Sequence, residues 1–477
     1  MKHRNSKGLR GLATALSSVL PVLFCLGLLV GPASQANGGW EQVHGILSRI
    51  NAPRFPNRAF KITDYGAVGD GQTDCTEAFR KAISAAHEAG GGRVVVPAGS
   101  FLTGAIHLRS NVNLYVSKGA VIRFSLDPRK YLPVVYTRFE GVECMNYSPL
   151  IYAYEQENIA ITGKGTLDGQ ASDENWWRWK QIQGDDVEVL RNQGETGVPV
   201  ERRIHGDGKL MRPNMIQHYK CKNVLIEGVT IRNSPMWHIH PVLSTNVIVR
   251  NVRVIGHGPN NDGCNPESCR DVLIKGCYFD TGDDCIAIKS GRNNDGRRVN
   301  MPSENIIIQN CEMRDGHGGV VIGSEMTGGV TNVFAENCTM DSPNLDRALR
   351  IKTNSVRGGT VEDIYLRNIT IGQVAEAVLR INFLYGEGDT GSYTPTVRNI
   401  NLENITSGKS KYVLSIRGYD RSPIRDVRLK NCTFNNVEKS NVLVGVEDVV
   451  LKNVKINGQV FNKAISEPAP FGNSSSR

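Results

Sequence analysis

After its first 36 residues the chain lacks any stretch apolar enough to span a bilayer. It also lacks a run of lysine and arginine interleaved with aromatic residues, the pattern typical of nucleic-acid binding. Helical periodicity is scarce too, because one segment shows it clearly and no later segment compares. These absences argue against a membrane-spanning protein, a nucleic-acid-binding protein and a helical fold.

Residues 1–36 have the pattern of a secretory signal. Four basic residues fall within residues 1–10, residues 12–30 are mostly apolar, and small residues at 33–36 offer a cleavage site. The apolar run is long, so an uncleaved anchor stays open as the alternative. Cleavage would leave a secreted or periplasmic protein that is no longer attached to the membrane.

The rest of the chain is divided into three parts. We expect an N-terminal extension at 37–59, one large domain at 60–465 and a C-terminal tail at 466–477. Without the signal, 52 basic residues stand against 47 acidic ones. This modest positive balance suits an anionic partner without requiring one. We expect a monomer.

The one clear helix pattern covers residues 75–89. Its apolar residues fall on one face, Asp74 is a candidate N-cap, and Glu77 stands in the capping-box position. Three glycines at 90–92 end it. We expect this helix to cap the open edge of a β-structure.

A repeat organises the chain from residue 223 onward. Each copy begins with Asn or Asp, continues with Val or Ile, and is apolar again two residues later. The next apolar position then comes three residues on, instead of two. The copies begin at Asn223, Asn246, Asp271, Asn305, Asn332, Asp363, Asn399, Asp426 and Asp448.

The odd step has a physical cause. Strict alternation keeps side chains on opposite faces of a strand, so a step of three reverses the face unless the backbone turns. The residue before the step is always Asn or Gly, the types that adopt a left-handed conformation at least cost. A bend repeated every 22 to 36 residues predicts stacked coils. The sequence therefore predicts an all-β fold similar to the right-handed parallel β-helix, the pectin-lyase-like solenoid, as one domain.

Ten cysteines remain after the signal. Four of them, Cys277, Cys311, Cys338 and Cys432, occupy corner positions where other copies have Val or Ile, so we expect them to be buried and unpaired. Cys264 is expected to stack on Cys285, or to close a small loop with Cys269. Ligands spread along a packed ladder do not form a tetrahedron, so we expect no zinc site.

Chemically active residues recur in phase with the repeat. Asp283 and His317 both lie twelve residues after the start of their copies, and Asp262 aligns with Asp283 through the cysteine two residues on. The segment Arg350-Ile351-Lys352 aligns with Ala287-Ile288-Lys289. Neighbouring coils are about 4.8 Å apart. We therefore expect a ladder of Asp262, Asp283 and His317, with Asp284 beside it and two cations nearby.

Such a ladder suits glycosidic cleavage. Neighbouring carboxylates raise each other's pKa, so that one can stay protonated while another is ionised. An inverting glycosidase needs an acid and a base roughly 6.5–9.5 Å apart, with water between them. Any one of these motifs alone is better explained as a solvated turn. Four motifs in the same phase of the repeat favour a catalytic site.

These motifs resemble those of the polygalacturonase family, glycoside hydrolase family 28. The matching residues are Asn260-Asn261-Asp262 (with Asn in place of the family's middle Thr), Gly282-Asp283-Asp284, Gly316-His317-Gly318 and Arg350-Ile351-Lys352. The resemblance implies hydrolysis of galacturonan by inversion, without metal or other cofactor. It implies that Asp283 is the general acid, and that Asp262 and Asp284 activate water.

The resemblance also assigns supporting roles. It implies that His317 supports the acid, that Arg350 and Lys352 grip a galacturonate carboxylate, and that Tyr385 contacts substrate. Asn260, in the first motif, is expected to contribute to the same substrate site.

Residues 290–300 have no apolar spacing and are expected to loop out beside the cleft. Arg292, Arg297 and Arg298 in this segment would offer planar donors to carboxylates. The segment resembles an insertion of exo-acting bacterial members of the family, which implies cleavage from a chain end. A solvated surface loop is the alternative.

Three other functions stay open. A non-catalytic polysaccharide-binding β-helix would hydrolyse nothing. A calcium-dependent pectate lyase would release ultraviolet-absorbing products. A hydrolase of rhamnogalacturonan or xylogalacturonan would differ in substrate alone.

Overall fold

The computed structural model describes residues 39–465, so the predicted signal and C-terminal tail lie outside the described residues. Strands follow one another in coils, and each strand pairs in parallel with its equivalent in the next coil. The result is a parallel β-helix with three faces, here named sheets 1, 2 and 3. The predicted fold is confirmed.

Sheets 1 and 2 meet at the predicted bend. Sheet 1 consists of strands Ala59–Lys61, Gly92–Val96, Val112–Val116, Glu157–Gly163, Lys222–Glu227, Thr245–Arg250, Arg270–Lys275, Ser303–Gln309 and Val330–Glu336. Sheet 2 consists of Asp70–Asp74, Gly99–Thr103, Ala120–Phe124, Thr166–Asp168, Thr230–Arg232, Arg253–Gly256, Tyr278–Thr281, Glu312–Met313 and Thr339–Met340. Four longer strands run through both sheets: Thr360–Gln373, Thr396–Lys409, Arg425–Phe434 and Val449–Ile456.

Sheet 3 forms the third face. Its strands are Ile106–His107, Ile151–Tyr154, Ile216–Tyr219, Ile286–Ile288, Val320–Ile322, Arg347–Lys352, Ala377–Asn382, Tyr412–Arg417 and Val442–Val444. Isolated bridges at Ile239 and Val242, and at Cys264 and Glu267, continue it across the two coils that have no full strand there. At the C-terminal end, Gln459–Ile465 folds back antiparallel on the last long strand.

The core is a stack of like residues in the centre of the coils. The apolar residues that follow each repeat start pair in one continuous register from Val224 through Ile306 to Val449, and all are fully buried. Each coil thereby covers the apolar surface of its neighbours, which is why a single repeat could not be stable alone.

The predicted bend residues are left-handed at every copy. Their φ values lie between +53° and +79°, as at Asn404 and Gly228. The Asn or Asp that opens each copy is left-handed too, with φ between +55° and +60°. Their side chains bond along the solenoid, as where Asn246 Nδ2 donates to Asn223 Oδ1 at 2.8 Å. This second ladder was not predicted, although the strict choice of Asn or Asp signalled it.

All ten cysteines of the described chain are buried and free. The prediction for the four corner cysteines is confirmed. The expected stacking of Cys264 on Cys285 is wrong by one residue, because Cys264 pairs in register with Ile286. Cys264 and Cys269 do not form the alternative disulfide.

Helix α1 (Gln42–Arg49) lies in the N-terminal extension. Its Val43 and Ile46 pack on outward-facing residues of sheet 1, from Ala160 to Tyr365. Helix α2 (Thr76–Glu88) buries the predicted apolar face. It contacts the first strands of sheets 1 and 3, and so caps the first coil.

The predicted capping of α2 is partly wrong. The N-cap residue is Cys75, although the Asp74 carboxylate still accepts the Thr76 N–H bond at 2.9 Å. Glu77 does not close a capping box, because it binds Arg80 one turn later.

Further helices were missed. The segment between sheets 2 and 3 contains α3 (Trp179–Ile182) and α4 (Gly184–Glu195), and α5 (Asn293–Val299) follows later. Trp176 lies in a short 3-10 turn and is buried. Strands Val135–Phe139 and Val142–Asn146 form an antiparallel hairpin, which Ile204–His205 extends. No helix of the described chain is both long and apolar enough to cross a bilayer.

Candidate active site

Sheet 3 brings the predicted motifs together from consecutive coils. Ala287, Val321 and Arg350 pair across three neighbouring strands, so the Arg-Ile-Lys segment lies where the sequence placed it. His317 Nδ1 lies 2.9 Å from Asp283 Oδ1. The register of Asp262 was predicted one residue off, because the bridge between Cys264 and Ile286 sets it opposite Asp284.

These residues line one cavity of about 740 Å³. The predicted residues that line it are Asp262, Asp283, Asp284, His317, Arg350, Lys352, Tyr385, Asn260 and Arg292. Charged groups of both signs therefore converge where a polar ligand can enter.

Asp284 is the most firmly held of the three carboxylates. Its side chain is 1% exposed, Lys352 Nζ lies 2.6 Å from Oδ2, and Arg350 lies 3.5 Å from Oδ1. Lys352 is thus bound to a catalytic candidate as well as facing the cavity, so its replacement would disturb more than carboxylate recognition.

Asp283 is the more accessible carboxylate, with a side chain 19% exposed. Burial raises its pKa, but the hydrogen bond and charge of His317 outweigh burial, and the pKa falls to about 2. The same hydrogen bond raises the pKa of His317, against the opposing effect of burial. The pair is therefore a charged Asp–His pair at neutral or mildly acidic pH.

Asp262 has the opposite electrostatics. Burial, followed by the charge of Asp283, raises the pKa of Asp262 well above its ordinary value. Asn265 Nδ2 donates to Asp262 Oδ2 at 2.7 Å, and Lys289 Nζ lies 3.8 Å away. The pKa values of Asp262 and Asp283 are thus shifted in opposite directions. Among the protein groups alone, Asp262 is the residue whose pKa is raised, whereas the family resemblance implies that Asp283 is the acid.

The two asparagines before Asp262 differ in role. Asn261 is fully buried, and its Nδ2 donates to the carbonyls of Ser234 and Met236 at 2.9 and 3.0 Å. It fixes the turn that presents Asp262. Asn260 lines the cavity, and its Oδ1 accepts a bond from the buried Arg212 at 2.7 Å.

Tyr385 stands beside the two cations of the Arg-Ile-Lys segment. Its ring centre is 5.5 Å from the Arg350 guanidinium and 5.4 Å from the Lys352 ammonium. These distances permit attraction between each cation and the ring. Tyr385 therefore lies beside Arg350 and Lys352, in a position to contact the same substrate.

The segment 290–300 is only partly as predicted. Arg292 lines the cavity and binds Glu387 at 2.7 Å. Arg297 and Arg298 do not line it, so their predicted place at the cleft is wrong. The reason is α5, which turns Arg297 onto the Tyr393 ring and Arg298 onto Asp295 and Glu143.

One end of the cavity is closed by insertions. The tip of the hairpin at Gly141 lies on Arg292, whose N–H bonds the Gly141 carbonyl at 3.0 Å. Glu140 at the same tip faces the cavity and binds Arg191 of α4 at 3.0 Å. Lys180 of α3 is 3.8 Å from Glu140. Three separate insertions thus form a wall across the cleft.

Residues 93–456 match the family model described as glycosyl hydrolases family 28. The chain belongs to this family. Residues 59–118 also match a model described as rhamnogalacturonase A/epimerase, pectate lyase-like. The protein is therefore a glycoside hydrolase.

Known relatives are similar to this family 28 enzyme over most of their length. A solved structure, a hyperthermoactive exopolygalacturonase from Thermotoga maritima, is 46% identical with a TM-score of 0.88, covering 90% of this chain and 98% of that one. A probable polygalacturonase of Vitis vinifera is 32% identical, covering 80% of this chain and 74% of the relative. An exo-poly-alpha-D-galacturonosidase of Dickeya chrysanthemi is 29% identical, and the match covers 84% of this chain and 75% of the relative.

Several residues of the family 28 site were missed from the sequence. Lys289 is buried between Glu325 at 3.0 Å and the Trp237 ring at 4.5 Å. Burial lowers its pKa, but the charges of Glu325 and Asp262 outweigh burial and raise it. Its alignment with Lys352 was the available signal. Glu325 and Glu387 had no comparable signal, because they lie in loops outside the repeat. Trp237 lies two residues before the bridged Ile239, in register with Asp262 of the next coil.

Among the described residues, one group of three potential metal ligands lies close together. His257, Asp280 and Asp315 offer atoms within 4.8 Å of one another. None of the three lines the cavity.

Proposed function

We propose that this enzyme hydrolyses the α-1,4 bonds of polygalacturonate, one chain end at a time and with inversion. The observation that carries the proposal is the meeting of three aspartates, His317 and the Arg350–Lys352 pair in one walled cavity. The similarity to an exo-poly-alpha-D-galacturonosidase and to an exopolygalacturonase supports the same substrate and an exo mode.

Substrate recognition in this proposal is electrostatic. Arg350 is partly exposed to the cavity and holds Asp284 only at 3.5 Å, so its guanidinium is available to a sugar carboxylate. Planar donors suit carboxylates in two-point contact. A methyl ester removes the charge of the sugar, so de-esterified substrate should be preferred.

The catalytic roles follow exposure and charge. Asp283 faces the cavity and is placed to give a proton to the leaving oxygen, with His317 holding its carboxylate in position. Asp284, buried and held by Lys352, would act with Asp262 to position and deprotonate the attacking water. This assignment agrees with the roles implied by the family motifs.

The proton must then move to Asp283 when substrate binds. After His317, the charge of Lys352 is the next influence that lowers the pKa of Asp283. A galacturonate carboxylate near Lys352 offsets that charge, and a sugar ring over Asp283 removes water from it. Both changes raise the pKa of an acid. Loss of the proton from Asp262 at the same time readies it to accept one from water.

The wall supports exo action. Glu140, Arg191 and Lys180 stand across the cleft on the side of the earlier coils, so a polymer cannot pass through in that direction. Only a chain end fits against such a wall, and we propose that it is the non-reducing end.

The proposed setting follows from the polymer and from the predicted signal. An enzyme that cleaves a galacturonan too large to enter a cell must reach that polymer outside the cytoplasm. We therefore propose that the enzyme is secreted or periplasmic and acts as a monomer without a metal.

The test is product analysis on de-esterified polygalacturonate, with and without a chelator. We expect saturated galacturonate or its dimer as the first product, in equal amounts with chelator. Products that absorb in the ultraviolet and need Ca²⁺ would contradict hydrolysis. Cleavage of rhamnogalacturonan or xylogalacturonan, with no cleavage of polygalacturonate, would contradict the substrate. Proton NMR of the first-formed anomer tests inversion.

A further inference from the structure

The floor of the cleft continues beyond the cavity, away from the wall. The outer face of sheet 3 passes from strand Arg347–Lys352 to Ala377–Asn382 and then to Tyr412–Arg417. Residues 418–424 alone connect this last strand to the next one, so no insertion closes the cleft there. A polymer whose end rests on the wall must leave over these coils.

The register extends the two substrate-binding cations into two columns. Arg350 pairs with Arg380 on the next strand, and Lys352 pairs with Asn382 and then with Arg417. Parallel, in-register strands keep equivalent side chains on the same face, while Ile351, Ile381 and Ile416 between them are buried. Arg380 and Arg417 therefore face outward like Arg350 and Lys352.

The two added arginines differ in their partners. Arg380 binds Glu376 and donates to Ser415 Oγ at 3.0 Å. Arg417 is exposed, and no described carboxylate lies within ion-pair distance of it. Of the carboxylates on the adjoining segments, Glu376 is bound by Arg380 and Asp389 by Arg421. Arg417 is thus a cation still available to an anionic ligand.

We propose that Arg417, with Arg380 beside it, binds the carboxylate of a galacturonate beyond the two sugars that flank the cleaved bond. The inference rests on the proposed function, because it needs a polyanionic chain. Two coils, about 10 Å, separate the Lys352 and Arg417 strands. The site makes the enzyme favour trigalacturonate and longer chains over the dimer.

The test compares kcat/KM on digalacturonate and trigalacturonate for Arg417→Gln and Arg380→Gln. The ratio of trimer to dimer should fall about three- to tenfold in Arg417→Gln, as for a partly exposed charged contact. The ratio should fall less in Arg380→Gln, because Arg380 is already paired with Glu376. Arg417→Lys should restore part of the preference for the trimer that Arg417→Gln loses. The ratio in the wild type should also decline with added salt.

Arg109→Gln is the matched control, since Arg109 is also exposed and lies behind the wall, just after the first strand of sheet 3. Its ratio should equal that of the wild type. An unchanged ratio in Arg417→Gln, or an equal loss in Arg109→Gln, overturns the proposal. If the wild type cleaves neither oligomer, the proposed function fails. If it cleaves both and the Arg417→Gln ratio is unchanged, only this inference fails.

Discussion

The floor of the cleft and its closed end hold their charged groups in different ways. On the floor, Asp284, Arg350 and Lys352 come from a regular repeat, and each coil supplies its residue in register with the next. At the closed end, Arg138 is fully buried between Glu143 and Glu267. These partners come from the hairpin and from a distant coil.

The difference shows that the repeat provides the catalytic residues, whereas the insertions provide the closed end of the cleft. A repeat can carry chemistry because its geometry is set by stacking, whatever the loops contain. The closed end depends on buried ion pairs between insertions, such as Arg203 with Asp295 of α5 at 2.7 Å. Such pairs are costly to desolvate and costly to break singly. The loss of a charge that faces the cavity, such as that of Asp283, should therefore reduce stability less than the loss of the buried charge of Arg138.

The largest expected effect is on catalysis at the floor. Asp283→Asn should lower kcat on polygalacturonate by about 10²–10⁴-fold, the usual contribution of a general acid. Thermal stability should change little, because Asp283 faces the cavity and not the coil interior. Near wild-type turnover would remove Asp283 from the mechanism.

An activated substrate separates the acid from the base. On an aryl galacturonide, whose phenolate leaves without protonation, Asp283→Asn should regain activity relative to the polymer. Asp262→Asn should remain impaired on both substrates. The reverse pattern would make Asp262, whose pKa is raised, the acid.

The second prediction concerns the closed end. Arg138→Met leaves Glu143 and Glu267 buried without their shared cation, which should reduce the free energy of unfolding by about 3–5 kcal/mol. Denaturant titration measures it. The matched control is Arg428→Met, which removes an exposed pair with Asp426 and should change stability by less than about 0.5 kcal/mol. Equal losses would mean that the two kinds of ion pair do not differ.

The third prediction concerns the bends that keep the floor regular. Asn404 has φ +54°, and its Nδ2 donates to Asn368 Oδ1 at 3.0 Å. Asn404→Ala should cost about 1–2 kcal/mol, because Ala loses the bond and also lacks the short polar side chain that lets Asn adopt left-handed backbone. Asn404→Gly should cost less, because it loses the same bond but adopts left-handed backbone without strain. A glycine variant less stable than the alanine variant would mean that left-handed strain does not govern this bend.

The smallest expected effect is the pH dependence of the Asp283–His317 pair. The raised pKa of His317 contributes stability below about pH 6.5, and this is lost as pH rises through the folded value. The lowered pKa of Asp283 contributes above about pH 4, and this is lost as pH falls toward 2.

His317→Gln should therefore lower thermal stability mainly between about pH 4 and 6.5. The loss should stay under about 1 kcal/mol, because His317 is half-exposed. Melting curves across pH test this. A loss that grows above pH 8 would contradict the assigned ion pair.

Much of the floor could be predicted from the sequence, because every coil repeats the same pattern of apolar and bend residues. The bend residues, the buried corner cysteines and the pairing of Asp283 with His317 all follow from one repeat. The register of Asp262 was missed by one residue, since its coil forms only isolated bridges, at Cys264 and Glu267, and no strand that would fix the count.

The closed end could not be predicted in the same way. Helix α4 and the hairpin occur once each, so no second copy reveals which residues they bury. Arg297 and Arg298 carried the right charge, but α5 turns them away from the cleft. Charge and position in the sequence indicate a cation, whereas its direction depends on partners distant in the chain.

The most direct test of the account is to follow viscosity and reducing ends together during hydrolysis of polygalacturonate. The walled cleft predicts a slow fall in viscosity while reducing ends accumulate, with galacturonate or its dimer present from the first time point. A steep fall in viscosity when only a small fraction of bonds has been cut, with longer oligomers appearing first, would contradict it.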